Sequence, residues 1–120
     1  MKAENALLDK SYNFAIRIVN LYKFLTKEKK DYIIAKQIFR SGTSIGANAE
    51  EAVGGFSDKD FIAKLQISYK ETRETRYWLR LLRDTDYLSK EQATSLINDC
   101  EELQKIITAI LNTMKGKGNS

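Results

Sequence analysis

The chain has 120 residues with 20 Lys and Arg against 16 Asp and Glu, a net charge of +4. It has no proline, no histidine and one cysteine, so a disulfide framework, a His-based general base and a His-ligated metal site are all excluded. The length suits one domain spanning 1–120. The lone thiol and the lack of an apolar run of membrane-spanning or signal-peptide length point to a cytoplasmic protein with no membrane association.

The first predicted helix covers Ala3 to Lys27, where Leu7, Ser11, Phe14, Ile18, Leu21 and Leu25 recur at three-four spacing on one stripe. Ala15 and Tyr22 widen that stripe, and the charged run Lys27 to Asp31 forms the first break. The second helix covers Tyr32 to Val53, with Ile34, Ile38, Ser41, Ile45, Asn48 and Ala52 as its core row. Its middle, from Ser41 to Ala49, is almost all small residues. Gly42 and Gly46 each cost about 1 kcal/mol relative to alanine in a helix, and close helix–helix approach is the usual compensation. Gly54 and Gly55 are expected to end the helix as C-terminal glycines.

The third helix begins at Ser57, with Asp60 three residues on as a near capping box, and ends at Asp84. Its core row is Phe61, Leu65, Ser68, Thr72, Thr75, Leu79 and Leu82, small and polar in the middle like its neighbour. The fourth helix starts at Ser89 with Gln92 at the capping-box position, and carries the heptad row Leu96, Cys100, Leu103, Ile107, Ile110 and Met114. A frayed tail is expected over 115–120. Short connections between helices of this length impose up-down-up-down order, so the predicted fold is all-α, an antiparallel four-helix bundle.

Buried polar groups must find partners. Asn48 and Glu51 are therefore expected to meet Ser44, Ser68, Tyr69, Thr72 or Thr75 in a hydrogen-bonded layer between the second and third helices.

Four arginines, Arg73, Arg76, Arg80 and Arg83, fall within an arc of about 80° on the third helix, in line with Tyr69. Guanidiniums in a row with an aromatic suit phosphate-backbone binding, because they supply fixed charge, forked donors and a stacking face. The same spacing also suits a solvated face, or ion pairs to Glu50, Glu51, Glu101 or Glu102. A second apolar patch, Tyr77, Trp78 and Leu81, lies off the core row, as do Ile33 and Phe39 on the second helix and Tyr12, Ile16 and Val19 on the first. Apolar surface beyond one core stripe suggests a subunit interface. Cys100 sits in a core row as a small hydrophobe, with no histidine to activate it.

The series Arg40 to Asn48 (RSGTSIGAN), then Glu51, then Ser57 to Leu65, then Lys70 to Leu79 (KETRETRYWL) resembles the four-helix-bundle family encoded in intervening sequences of bacterial large-subunit ribosomal RNA genes. That family is often labelled a ribosomal protein, and it is similar to the accessory variability protein of diversity-generating retroelements. Arg40, Ser41, Ser44, Gly46, Asn48 and Glu51 carry the helix-packing motif. The family usually continues it with Ile-Ala-Glu-Gly, whereas this chain reads Ala49-Glu50-Glu51-Ala52 with its glycines at 54 and 55.

The resemblance implies a homopentamer and no enzymatic activity or cofactor. Through the retroelement relative it also implies a basic surface for RNA or DNA and a reverse transcriptase as protein partner. The function expected is thus a non-enzymatic oligomeric scaffold that binds nucleic acid through the arginine face. The alternative is a protein-interaction adaptor whose arginines serve ion pairs.

Overall fold

The computed structural model describes residues 2–118 and contains four helices: α1 (Lys2–Lys27), α2 (Ile33–Val53), α3 (Asp58–Asp84) and α4 (Lys90–Gly118). Each predicted helix start lies within one residue of the observed one. Cross-helix pairs run in opposite senses along the chain. Ile18 and Ser11 face Gly42 and Gly46, Ser41 and Ile45 meet Thr75 and Ser68, and Lys10 and Arg17 meet Glu102 and Asp99. The helices therefore alternate in direction around a rod of 51 × 22 × 20 Å.

Helix starts follow the capping chemistry of the sequence. Ser57 Oγ accepts from the Asp60 N–H at 3.1 Å. At α4 the box is reciprocal: the Gln92 N–H donates to Ser89 Oγ and the Ser89 N–H donates to Gln92 Oε1. Asp31 takes the same role for α2, accepting from the Ile34 and Ala35 N–H groups. Its carboxylate also accepts from the Tyr87 phenol, raising that group above the ordinary tyrosine range and joining the two turns at this end.

Helix ends differ from expectation. Gly54 closes α2 with φ −83°, donating to the Glu50 carbonyl, so no left-handed glycine is used. The left-handed positions belong to Lys30 (φ 55°) and Asp86 (φ 65°). Asp86 completes a Schellman-type end to α3, in which the Tyr87 N–H reaches the Leu82 carbonyl at 3.0 Å. α4 runs to Gly118, into the segment where a frayed tail is expected. Residues 119–120 lie outside the described residues.

The α1 stripe is buried as read from the sequence: Leu7, Ser11, Phe14, Ile18, Leu21 and Leu25. In α2 the buried arc is shifted toward the small residues. Ala35, Gly42, Gly46 and Ala49 are buried, while Ile34 and Asn48 are only half-buried. Gly42 lies against Ile18 and Gly46 against the Ser11 backbone, so α1 and α2 approach through two positions without side chains.

The polar layer between α2 and α3 exists with a different membership. Asn48 Nδ2 donates to the Ser44 carbonyl of its own helix at 2.8 Å, and the exposed Glu51 pairs with Lys64 at 3.5 Å. The layer is instead Ser68 Oγ to the Ile45 carbonyl (2.8 Å) and Thr75 Oγ1 to Ser41 Oγ (2.9 Å), with Thr72 Oγ1 bonded to the Tyr69 carbonyl. Every buried side-chain N or O among the described residues has a partner, as burial requires.

Two stability outcomes follow. A Cβ at Gly42 would stand 2.7 Å from Ile18 Cγ1 in a fully buried, β-branched neighbour, so Gly42→Ala is expected to destabilise the fold by about 1 kcal/mol or more despite its better helix propensity. Gly54→Ala, with nothing nearer than 3.5 Å, should be close to neutral in the same urea titration. Thr75→Val leaves Ser41 Oγ short of its partner and is expected to cost about 1–2 kcal/mol. Adding Ser41→Ala should recover part of that loss, and a fully additive double mutant would count against the bond.

Candidate nucleic-acid interface

Helical register sets Arg73, Arg76 and Arg80 on the flank of α3 that faces α4, where they border a cleft of about 260 Å³ together with Tyr77, Glu101 and Gln104. The four arginines of the predicted row divide into two kinds. Arg76 Nε donates to Glu101 Oε2 at 2.9 Å, one of the ion pairs open to the sequence reading. Arg83 turns to its chain neighbour Asp84, donating through Nε (2.8 Å) and Nη2 (3.3 Å). That hydrogen-bonded pairing raises the Arg83 guanidinium further and holds the Asp84 carboxyl below the usual range. Arg73 and Arg80 are exposed and have no hydrogen bond or ion pair among the described residues. Arg80 adds only its field to the ionised form of Asp84.

Tyr69 is half-buried and lies one turn further along, in a wider depression of about 550 Å³ with Glu101, Gln104, Lys105, Thr108, Ala109 and Asn112. Cleft and depression share Glu101 and Gln104, so they form one groove between α3 and α4. The aromatic that lines the cleft with the free arginines is Tyr77, four residues after Arg73 and three before Arg80, while Tyr69, four residues before Arg73, lines the adjoining part of the groove. That spacing was present in the sequence. The α4 wall, with Gln104 and Lys105, carried no comparable local signal.

The patch expected from Tyr77, Trp78 and Leu81 is only partly open. Tyr77 is 55% exposed, but Trp78 packs against the core and Leu81 is half-buried. The Trp78 Nε1–H donates to Glu74 Oε2 at 2.9 Å, and its ring meets Tyr77 edge-to-face with centroids 5.1 Å apart. Arg40 of α2 crosses to α3 and pairs with both Glu74 and Glu71. Glu71 is largely buried, which raises its carboxyl above the ordinary range against the opposing pull of Arg40.

Further exposed apolar surface lies on α1 and α2, at Tyr12, Ile16, Ile33 and Phe39. It includes a groove lined by Leu8, Tyr12, Ala15, Gly46 and Ala47.

The rest of the predicted motif is structural. Ser44 Oγ donates to the Arg40 carbonyl, Ser41 is in the buried layer, and Gly46 is the α1 contact. Among the described residues no three His, Cys, Asp or Glu side chains gather as metal ligands, and no helix is long and apolar enough to cross a membrane.

Fold and groove together define an all-α four-helix protein whose uncompensated positive charge borders an inter-helix cleft. The chain belongs to the family of 23S rRNA-intervening sequence proteins, whose model matches residues 3–109. Among solved structures it is similar to a protein of unknown function from the S23 ribosomal protein family of Bacteroides thetaiotaomicron. That protein is 52% identical, with a TM-score of 0.90 over 92% of this chain and 98% of the other. No curated protein matches the chain.

Cys100 donates its S–H to the Thr72 carbonyl at 3.2 Å, and burial pushes its thiol up to about 12. The native protein is expected to resist iodoacetamide at pH 8 and to react at once in denaturant. Because the folded value lies above the unfolded one, the thiol's contribution to stability is complete below about pH 9 and declines toward pH 12. The alkaline slope of unfolding free energy should therefore be shallower in Cys100→Ala.

Proposed function

We propose that the protein is a non-enzymatic, cytoplasmic, homo-oligomeric scaffold that binds RNA or DNA electrostatically along the α3–α4 groove. The observation that carries this reading is the pair Arg73 and Arg80: two exposed guanidiniums with no intramolecular partner, on one flank of one helix, bordering a cleft. A folded chain that uses Arg76 and Arg83 in ion pairs yet leaves these two open keeps their forked donors for phosphate oxygens. The net charge of +4 favours the same class of partner.

For assembly, the surface we favour is the apolar face of α1 and α2 around Tyr12, Ile16 and Phe39, and the stoichiometry we propose is the homopentamer that the family resemblance implies. The same face could receive a protein partner such as a reverse transcriptase.

A second reading, the interaction adaptor with structural ion pairs, draws on Arg76–Glu101 and Arg83–Asp84. Fluorescence anisotropy with a labelled RNA across a salt series separates the two. Binding through phosphates should weaken linearly in log–log form with salt. Arg73→Gln combined with Arg80→Gln should reduce affinity more than about tenfold and shallow the slope, since each lost phosphate contact removes about 0.7–0.9 from it. Arg83→Gln should change little. Light scattering should give a mass about five times the 13.8 kDa protomer for both proteins. Unaltered RNA affinity in the Arg73/Arg80 double variant, or no binding by the wild type in low salt, would favour the adaptor.

A further inference from the structure

We infer that the α3–α4 cleft selects single-stranded over double-stranded nucleic acid, with Tyr77 as a stacking platform set between the phosphate contacts of Arg73 and Arg80. This rests on the nucleic-acid reading above and concerns the form of the ligand. The three side chains line one cleft, and along the helix axis Tyr77 stands about 6 Å from Arg73 and about 4.5 Å from Arg80. A phosphate held by either arginine therefore brings the attached nucleoside to the tyrosine ring. In a duplex the base faces are consumed by stacking on one another. An unstacked strand can turn a base onto an aromatic side chain, whatever its sequence.

The platform is built rather than incidental. More than half of the Tyr77 surface is open to solvent, so the fold does not use this ring as core. Its orientation is nevertheless held. The ring packs edge-to-face on Trp78 at an interplanar angle of 75°. The indole N–H is fixed to Glu74, and Glu74 is held by Arg40 from α2. A ring fixed before the ligand arrives loses little freedom on stacking.

The charge pattern points the same way. On the α4 side of the cleft Glu101 is matched by Arg76 and Gln104 is neutral, so within the cleft itself the uncompensated charge lies on α3, with Lys105 of α4 next along the groove. The one row of cations in the cleft accepts one strand of phosphates.

Anisotropy with the full-length protein tests this. The probes are a labelled, unstructured RNA of about 12 nucleotides, within the site sizes of stacking grooves, and the same strand annealed to its complement. The wild type should bind the single strand roughly tenfold more tightly, the value of one base on an aromatic ring. Tyr77→Ala should remove that preference while leaving duplex affinity unchanged, and Tyr77→Phe, which keeps the ring, should bind as the wild type. Equal affinity of the wild type for both forms, or an equal loss of both in Tyr77→Ala, overturns the single-strand inference. If the Arg73/Arg80 double variant still loses binding in that case, the nucleic-acid reading stands without it. If that variant binds both forms as the wild type does, both fall.

Discussion

Where α2 passes α1, Gly42 lies so close beneath Ile18 that a methyl group would sit 2.7 Å from its Cγ1, and one turn on, a methyl group at Gly46 would stand 3.2 Å from Ser11 Oγ and 3.3 Å from its carbonyl oxygen, a tighter contact than packed side chains usually make. Side chains at either position would hold the helices apart, since packed interiors have no spare volume for them. The approach has consequences on the opposite side of α2. Ser41 and the Ile45 carbonyl are brought within hydrogen-bonding distance of Thr75 and Ser68 on α3. Serine and threonine serve there because short polar side chains bridge two nearby backbones. α2 is thus held on one side by absent side chains and on the other by small polar ones, and that fixes the height of α3 relative to the rest.

The height of α3 decides where the arginines emerge. Arg40 reaches Glu71 and Glu74 only because α2 and α3 are in register, and through Glu74 the same contact fixes Trp78. The α2–α3 seam therefore organises the surface on which Tyr77 and its flanking guanidiniums stand, although no residue of α2 lines the cleft.

How much of this was legible depended on how loudly each contact is written. The α1 row could be read residue by residue because large apolar side chains mark it. In α2 the periodicity of Ile34, Ile38 and Ile45 drew the expected row toward Asn48, one position from the buried Ala49. The buried arc extends on its α1 side through Ala35, Gly42 and Gly46, residues that carry almost no hydrophobic signal. The arginine row was plain from its spacing. Which arginines are free was not, since that turns on Glu101 of another helix and on the sense in which Arg83 leans toward Asp84. Tyr69 and Tyr77 both lie on the arginine side of α3 by their register. Only the packing of α4 shows which of them borders the cleft.

The four seams of the bundle are unlike one another in chemistry. α1 and α4 share the sparsest contact of the neighbouring pairs, bridged by Lys10–Glu102 at 3.0 Å and by Arg17, which donates to Asp99 at 2.6 Å and to Ser95 at 3.0 Å. These pairs are half-exposed, the class that contributes least and is most readily screened. All four helices share one buried core, so the sparse contact of the first and last helices marks the seam along which local opening is expected to begin. Ionic strength therefore acts on this molecule in two places: on the exposed guanidiniums of the arginine groove, and on the ion pairs between the first and last helices.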